Sequence, residues 1–331
     1  MRRTSVNPII RFFIFCIVLP VCVTTSAAEI PLTPVPGTSF EQHKITDERG
    51  REITYYISRP KMPAPLLVMI QGSGCIPIMH LGTDSTYSTL FNFLPFGKAG
   101  DFAVLGVEKP YSAEHAEGNP GSAEACTKQF NDDFNAETWL MALRASITSA
   151  RRLNFVDRKR TLVFGVSEGA VMAALVAGHD SQVSDVIQIG GSGTTQLFDF
   201  FASAYRHCFD ISVCLARIEK QEYEIAEDPN SSTKFAWGHP YKRWVSFFRV
   251  DPAEELLRSS ARFYIAFGTE DQSVSPLSPE VEAAKLMAAG RDVTIRRVPN
   301  ADHSLMGPGG QDFSGPDKEF RDALAWFWNK R

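Results

Sequence analysis

Residues 161–178, "TLVFGVSEGAVMAALVAG", decide how the rest of the chain is read. The run "TLVFG" is apolar and strand-length, and Gly165 and Gly169 bracket Ser167 in the spacing G-x-S-x-G. "EGAVMAALVAG" then begins a helix whose small residues, Ala170, Ala173, Ala174 and Ala177, let it approach a sheet closely. The triplet alone arises by chance in about one chain in ten of this length. The strand before it and the helix after it give it weight, because a sharp strand-to-helix turn holds a serine oxygen out at the strand's end. Glu168, next to the serine, has two readings: negative charge favoured at a helix start, or a carboxylate that repels anionic substrates or binds a substrate amine.

Outward from that turn, strand-length apolar runs recur: "LLVMI" (66–70), "FAVLGV" (102–107), "VIQI" (186–189), "RFYIAFG" (262–268) and "VTIRRV" (293–298). "REITYYIS" (51–58) mixes polar and apolar residues as a sheet-edge strand would, antiparallel to the others. Between the runs, Leu140, Leu143, Ile147 and Ala150 repeat at helical spacing, as do Phe320, Leu324, Phe327 and Trp328. Alternating strands and helices predict a mostly parallel sheet covered on both faces. The alternation breaks between about residues 190 and 258, and the segment at about 194–258 is expected to be a lid inserted before the next strand. Its aromatic residues, among them Phe200, Trp237 and Trp244, are expected to divide between an acyl pocket and the lid's own core.

The N-terminus pairs Arg2, Arg3 and Arg11 with the apolar run "FFIFCIVLPVCV" (12–23) and the small-residue stretch "TTSAAE". This predicts a secretory signal peptide over residues 1–28, followed by one domain over 29–331. Twelve helical residues reach about 18 Å, short of a hydrocarbon core of about 30 Å, so the mature chain is expected to carry no stable membrane span. Removing those arginines leaves 31 basic against 38 acidic residues, a net charge of about −7. Without a basic patch, a nucleic-acid partner is not expected. Export, periplasmic or secreted, makes the four remaining cysteines disulfide candidates. Three pairings are open, and the one expected is Cys75 with Cys126 and Cys208 with Cys214. No cofactor is expected. His207, Cys208, Cys214 and His239 lack a recognised metal-ligand spacing.

The strand, G-x-S-x-G turn and small-residue helix resemble the α/β-hydrolase fold over about residues 40–331, similar to carboxylesterases and to dienelactone-hydrolase and prolyl-oligopeptidase relatives. The resemblance implies a Ser–His–Asp catalytic triad in the chain order serine, acid, histidine. Ser167 is then the nucleophile. His303, in the late loop "VPNADHSLMGP", is its base, and the other six histidines fall to the surface or the lid. "GTEDQSVSP" offers Glu270 and Asp271 as the acid, and the family's usual position, three residues past the strand-ending glycine, favours Asp271. Asp302 adjoins the histidine and reaches it poorly. The oxyanion donors implied are the backbone N–H of Glu168 and, from "QGSGC" (71–75), that of Ser73, with Gln71 where the family often has histidine. A disulfide at Cys75 would stiffen that loop; "GSG" also reads as a plain tight turn. The expected activity is cleavage of small acyl esters. A peptidase or amidase and a non-catalytic binding scaffold are the alternatives, and no oligomeric state is implied.

Overall fold

The sequence runs pair into one sheet. In the computed structural model the described residues are 33–82, 86–112, 123–309 and 313–329, within a unit spanning Pro31–Arg331. The expected signal peptide, residues 1–28, lies outside them. The strands are β1 (Thr33–Pro34), β2 (Phe40–Thr46), β3 (Glu52–Ser58), β4 (Ala64–Ile70), the small hairpin β5 (Met79–Leu81) and β6 (Thr86–Ser88), then β7 (Ala103–Val107). Helix α1 (Phe93–Ala99) precedes β7, and α2 (Lys128–Asp133) and α3 (Ala136–Ala150) follow it. Next come β8 (Val156–Val166), α4 (Glu168–His179) and β9 (Asp185–Ile189).

The β9–β12 connection holds α5 (Gln196–His207), α6 (Ile211–Glu227), the two-residue strands β10 (Phe235–Ala236) and β11 (His239–Pro240), α7 (Tyr241–Phe248) and α8 (Pro252–Leu257). The chain closes with β12 (Arg262–Gly268), α9 (Leu277–Ala288), β13 (Val293–Val298) and α10 (Ser314–Trp328).

Among the described residues, nine strands form the main sheet in the order β1-β2-β3-β7-β4-β8-β9-β12-β13. The stretch from β7 to β13 is parallel, while β1, β2 and β3 are antiparallel to their neighbours. β3 is therefore antiparallel as expected but not at the edge, because β2 and β1 lie outside it. β2 buries Phe40 and His43 while Glu41 and Lys44 stay more open, and this mixing of polar and apolar residues masks it in the sequence. His43, expected at the surface, is buried and stacks on Tyr55.

One face of the sheet packs against α3, α4, α8 and α9 through residues such as Trp139, Leu143, Ile147, Leu256 and Leu286. The other packs against α1 and α10 through Phe93, Phe320 and Phe327. Trp328, which shares the apolar spacing of α10, lies half out and stacks against Phe102 and Phe327. α3 begins with a reciprocal capping box between Asn135 and Thr138. Among the described residues no helix is long and apolar enough to cross a membrane. Two disulfides are present, Cys75–Cys126 and Cys208–Cys214. Closing a 51-residue separation, the first constrains the unfolded chain more than the second, which closes 6. The chain-entropy model gives about 4 and about 2 kcal/mol.

Candidate active site

The turn at Ser167 is made by two close approaches that only glycine permits. A Cβ on Gly165 would lie 2.0 Å from the Gly169 carbonyl oxygen, and one on Gly169 would lie 2.2 Å from that of Ile70. β8 thus runs straight into α4, and Ser167 takes φ 56° and ψ −123° between them. Non-glycine residues rarely adopt positive φ, and such strain survives only where surrounding structure over-determines it. Here the Ser167 N–H donates to the Ile189 carbonyl at 2.9 Å, and the Ser167 carbonyl accepts from the Ala170 N–H at 2.9 Å.

Two other loops from the same end of the parallel strands meet the serine. His303, in the loop after β13, has Nε2 2.9 Å from Ser167 Oγ and Nδ1 2.8 Å from Asp271 Oδ2. Asp271, in the loop after β12, is buried, and its other oxygen accepts the N–H groups of Ser273 and Val274 at 2.8 and 2.9 Å. Those bonds leave Oδ2 aimed at the imidazole. Glu270 points to solvent. Asp302 does not reach His303; its Oδ1 accepts the N–H groups of Ser304 and Met306 and shapes the loop.

Glu168 opens α4, so its negative charge does fall at a helix start, but it does not stand bare toward a substrate. Its carboxylate is buried between two cations, with Lys109 Nζ at 2.8 Å and Arg243 Nη2 at 2.6 Å. Burial pushes this carboxyl up, but the two positive charges outweigh it and hold the group at about 2. It is therefore ionised and neutralised, and presents no bare negative charge to a substrate. Lys109 also donates to the carbonyls of Gly72 and Gly74, at 2.7 and 3.1 Å. Arg243 donates to Gln196 at 2.7 Å and lies over the Trp244 and Phe247 rings. Ser73 lies beside Ser167: a Cβ on neighbouring Gly72 would be 3.3 Å from Ser167 Cβ. The Cys75–Cys126 bond anchors the same turn.

A cavity of about 280 Å³ opens over Ser167 and His303. The β9–β12 connection supplies much of its wall: Gln196, Asp199 and Phe200 from α5, Trp237 from the β10–β11 turn, and Arg243 and Trp244 from α7. Phe200 stacks on Trp237 with ring centroids 4.3 Å apart, and Trp244 meets both edge-on. Phe247, by contrast, belongs to the main core. His239 also borders the cavity, and burial together with the Arg243 charge pushes its imidazole down to about 3. Asp199 accepts a hydrogen bond from Ser192, and burial raises its carboxyl to about 7. Cys208 and Cys214 are bonded to each other, which removes both as metal-binding thiolates. Among the described residues no group of three or more histidine, cysteine or carboxylate side chains is arranged to hold a metal ion.

Sequence reasoning missed Lys109, Arg243, Gln196 and Asp199. Nothing in "VEKPY" separates a buried lysine from a solvated one except its place directly after a fully buried strand.

The strand order, the serine turn after β8 and the loops after β12 and β13 are those of an α/β-hydrolase, and the chain is a serine hydrolase of that superfamily. The prolyl oligopeptidase family model matches residues 142–331, more than half of the chain, and the chain belongs to that family. Among curated protein sequences none matches at a significant level.

Solved structures with the same fold include an acylaminoacyl peptidase from Pyrococcus horikoshii, at 13% identity and TM-score 0.59 over 88% of this chain. The match spans 41% of that peptidase, and this chain is a little under half its length. Est1E from Butyrivibrio proteoclasticus matches at 14% identity and TM-score 0.56, over 87% of this chain and 97% of Est1E. A Klebsiella pneumoniae protein described as a dienelactone hydrolase matches at 15% identity and TM-score 0.55, over 88% of this chain and 100% of its own.

Proposed function

We propose that this protein is an exported serine hydrolase that cleaves small acyl esters, with Ser167 as nucleophile, His303 as base and Asp271 as the acid that orients it. The observation that carries the reading is the unbroken run of contacts from Asp271 Oδ2 through the imidazole to Ser167 Oγ, at 2.8 and 2.9 Å. A serine hydroxyl is a weak nucleophile until a base takes its proton, and the base needs a carboxylate to hold its tautomer. Ser167 Oγ attacks the acyl carbonyl while His303 Nε2 takes the proton. The N–H groups of Glu168 and Ser73 stabilise the tetrahedral oxyanion. His303 then protonates the departing alkoxide, leaving the acyl group on Ser167. Water, deprotonated by His303, repeats the attack; the acid product leaves and Ser167 regains its proton.

The cavity supports a small substrate, since about 280 Å³ falls just below the range for ligand sites, roughly 300–1,000 Å³. In this reading residues 194–258 act as a lid whose aromatic residues select the acyl group. The two disulfides are compatible with an oxidising compartment. Residues 1–28 would be removed on export, which N-terminal sequencing of the cell-surface or periplasmic fraction checks: a mature protein beginning near Glu29 is expected.

The family match favours a second reading, a peptidase or amidase. Aryl esters and anilides of the same acyl group separate the two. The ester reading expects kcat/KM at least 100-fold higher for the ester, after correction for the intrinsic reactivity of each leaving group. Corrected values that favour the anilide would replace it with the peptidase reading.

A further inference from the structure

Lys109 is fully buried, and its contacts converge on the two backbone segments beside Ser167. It donates to the Gly72 carbonyl at 2.7 Å, to the Gly74 carbonyl at 3.1 Å and to Glu168 Oε1 at 2.8 Å. In a trans peptide unit the carbonyl and the following N–H point in opposite directions, and a hydrogen bond to one polarises the other. The Gly72 carbonyl shares its unit with the Ser73 N–H. With that carbonyl held on the ammonium group, the Ser73 N–H is turned away from Lys109. It donates to no protein acceptor among the described residues. Ser73 borders the cavity together with Ser167 and His303.

The other arm of the ammonium group grips Glu168, the first residue of α4, whose N–H has no partner within its own helix. The geometry points to Lys109 as a positioning residue for the oxyanion hole. It ties the Ser73 peptide unit to Glu168 so that both N–H donors are held as one pair, and it polarises the Ser73 donor. Arg243 completes the arrangement: it shares the Glu168 carboxylate, so one carboxylate faces two cations and the cluster keeps a net positive charge behind the developing oxyanion. The inference rests on the reading of Ser167 as nucleophile. It also gives the departure at Gln71 a physical context, since a side chain from the loop just after β7 secures the turn from behind.

Two variants test it. Lys109→Met leaves Glu168 paired with Arg243, so no buried carboxylate is stranded. Lys109→Gln keeps a donor for the Gly72 carbonyl and drops the charge. Loss of one oxyanion contact typically lowers kcat by about 100-fold or more; that fall is expected for the methionine variant, with the glutamine variant between it and wild type. KM should stay within about threefold, and affinity for a boronic acid that forms a tetrahedral adduct on Ser167 should fall in parallel with kcat/KM. Should the methionine variant fail to fold by circular dichroism, the glutamine variant carries the test. Folded variants with near wild-type kcat, or with reduced kcat and undiminished boronate affinity, would overturn the role of Lys109. Fluorophosphonate labelling of wild-type Ser167 in the same series keeps the two readings apart. An unlabelled wild type refutes the nucleophile, whereas a labelled wild type with indifferent Lys109 variants refutes the positioning role alone.

Discussion

Two residues that border the cavity, Ser167 and Trp237, share a positive φ, 56° in the first and 45° in the second. They are held there in different ways. Ser167 sits where β8, β9 and α4 converge, in a turn so tight that neither Gly165 nor Gly169 has room for a Cβ. Trp237 sits with Gly238, at φ 77°, in the two-residue turn of a hairpin whose strands are two residues each. Positive φ at both central residues is what such a turn demands, and asparagine with glycine is its usual filling. The indole is held by Phe200 and Trp244, and the Gly238 carbonyl accepts the Ala123 N–H at 2.7 Å. The proposed nucleophile is thus fixed by the main sheet. The proposed acyl-pocket residue rests on a small local structure, where replacement is easier.

The largest effect should come from the first region: Ser167→Ala or His303→Ala should lower kcat by about 10⁴-fold or more in steady-state assays, without a comparable loss of thermal stability. Gly169→Ala should damage the fold itself. Its Cβ would meet the Ile70 carbonyl at 2.2 Å, and backbone has nowhere to move, so a loss of at least about 3 kcal/mol in urea unfolding is expected. In the second region the signs should separate. Trp237→Asn should relieve the hairpin by up to about 1 kcal/mol while lowering kcat/KM for aromatic or long acyl esters about 10-fold or more through loss of the indole wall. A variant that lost stability as well as activity would mean that the indole is chiefly the segment's own core and that the contrast with Ser167 is overstated.

A smaller, graded effect should appear with pH. Glu282, buried on α9 against Gly193 with Oε1 unpartnered, is pushed by burial from 4.5 up to about 8. Between those values the folded protein holds a proton that the unfolded chain releases. Stability should therefore fall as pH rises through that window, by about 1.4 kcal/mol per unit where the difference is complete. Burial also raises Glu108 and Asp199, each to about 7, and steepens the fall below that point. Glu168 acts in the opposite sense, its contribution fading as pH drops below about 4.5 toward 2. Thermal melts from pH 5 to 8 should show a declining Tm that Glu282→Gln partly flattens; an equal slope in the variant would contradict the assignment.

The same contrast explains what could be read from the sequence. All six apolar runs became sheet strands; five lie inside the parallel part of the sheet, where burial on both faces needs continuous apolar residues, while β13, at the edge, is only partly covered. The glycine spacing marked the turn at Ser167, because backbone contact restricts residue type in a way that survives in one dimension. β2 escaped notice, since polar residues occur on both of its faces and its buried His43 does not look like a core residue. The Lys109–Glu168–Arg243 cluster was invisible for another reason. Its members are 59 and 75 residues apart and meet only after β7, α4 and α7 have packed. Charged residues advertise no burial, so the Glu168 carboxylate could be read only as a helix-start charge or a substrate contact.

The most direct test of the central claim is fluorophosphonate labelling of the purified protein, with Ser167→Ala, His303→Ala and Asp271→Asn beside the wild type. An activated serine predicts covalent modification of wild type at Ser167, none in Ser167→Ala, and labelling rates reduced by about 100-fold or more in the other two. A folded wild type that resists the reagent, or one that is modified equally fast without His303, would contradict it.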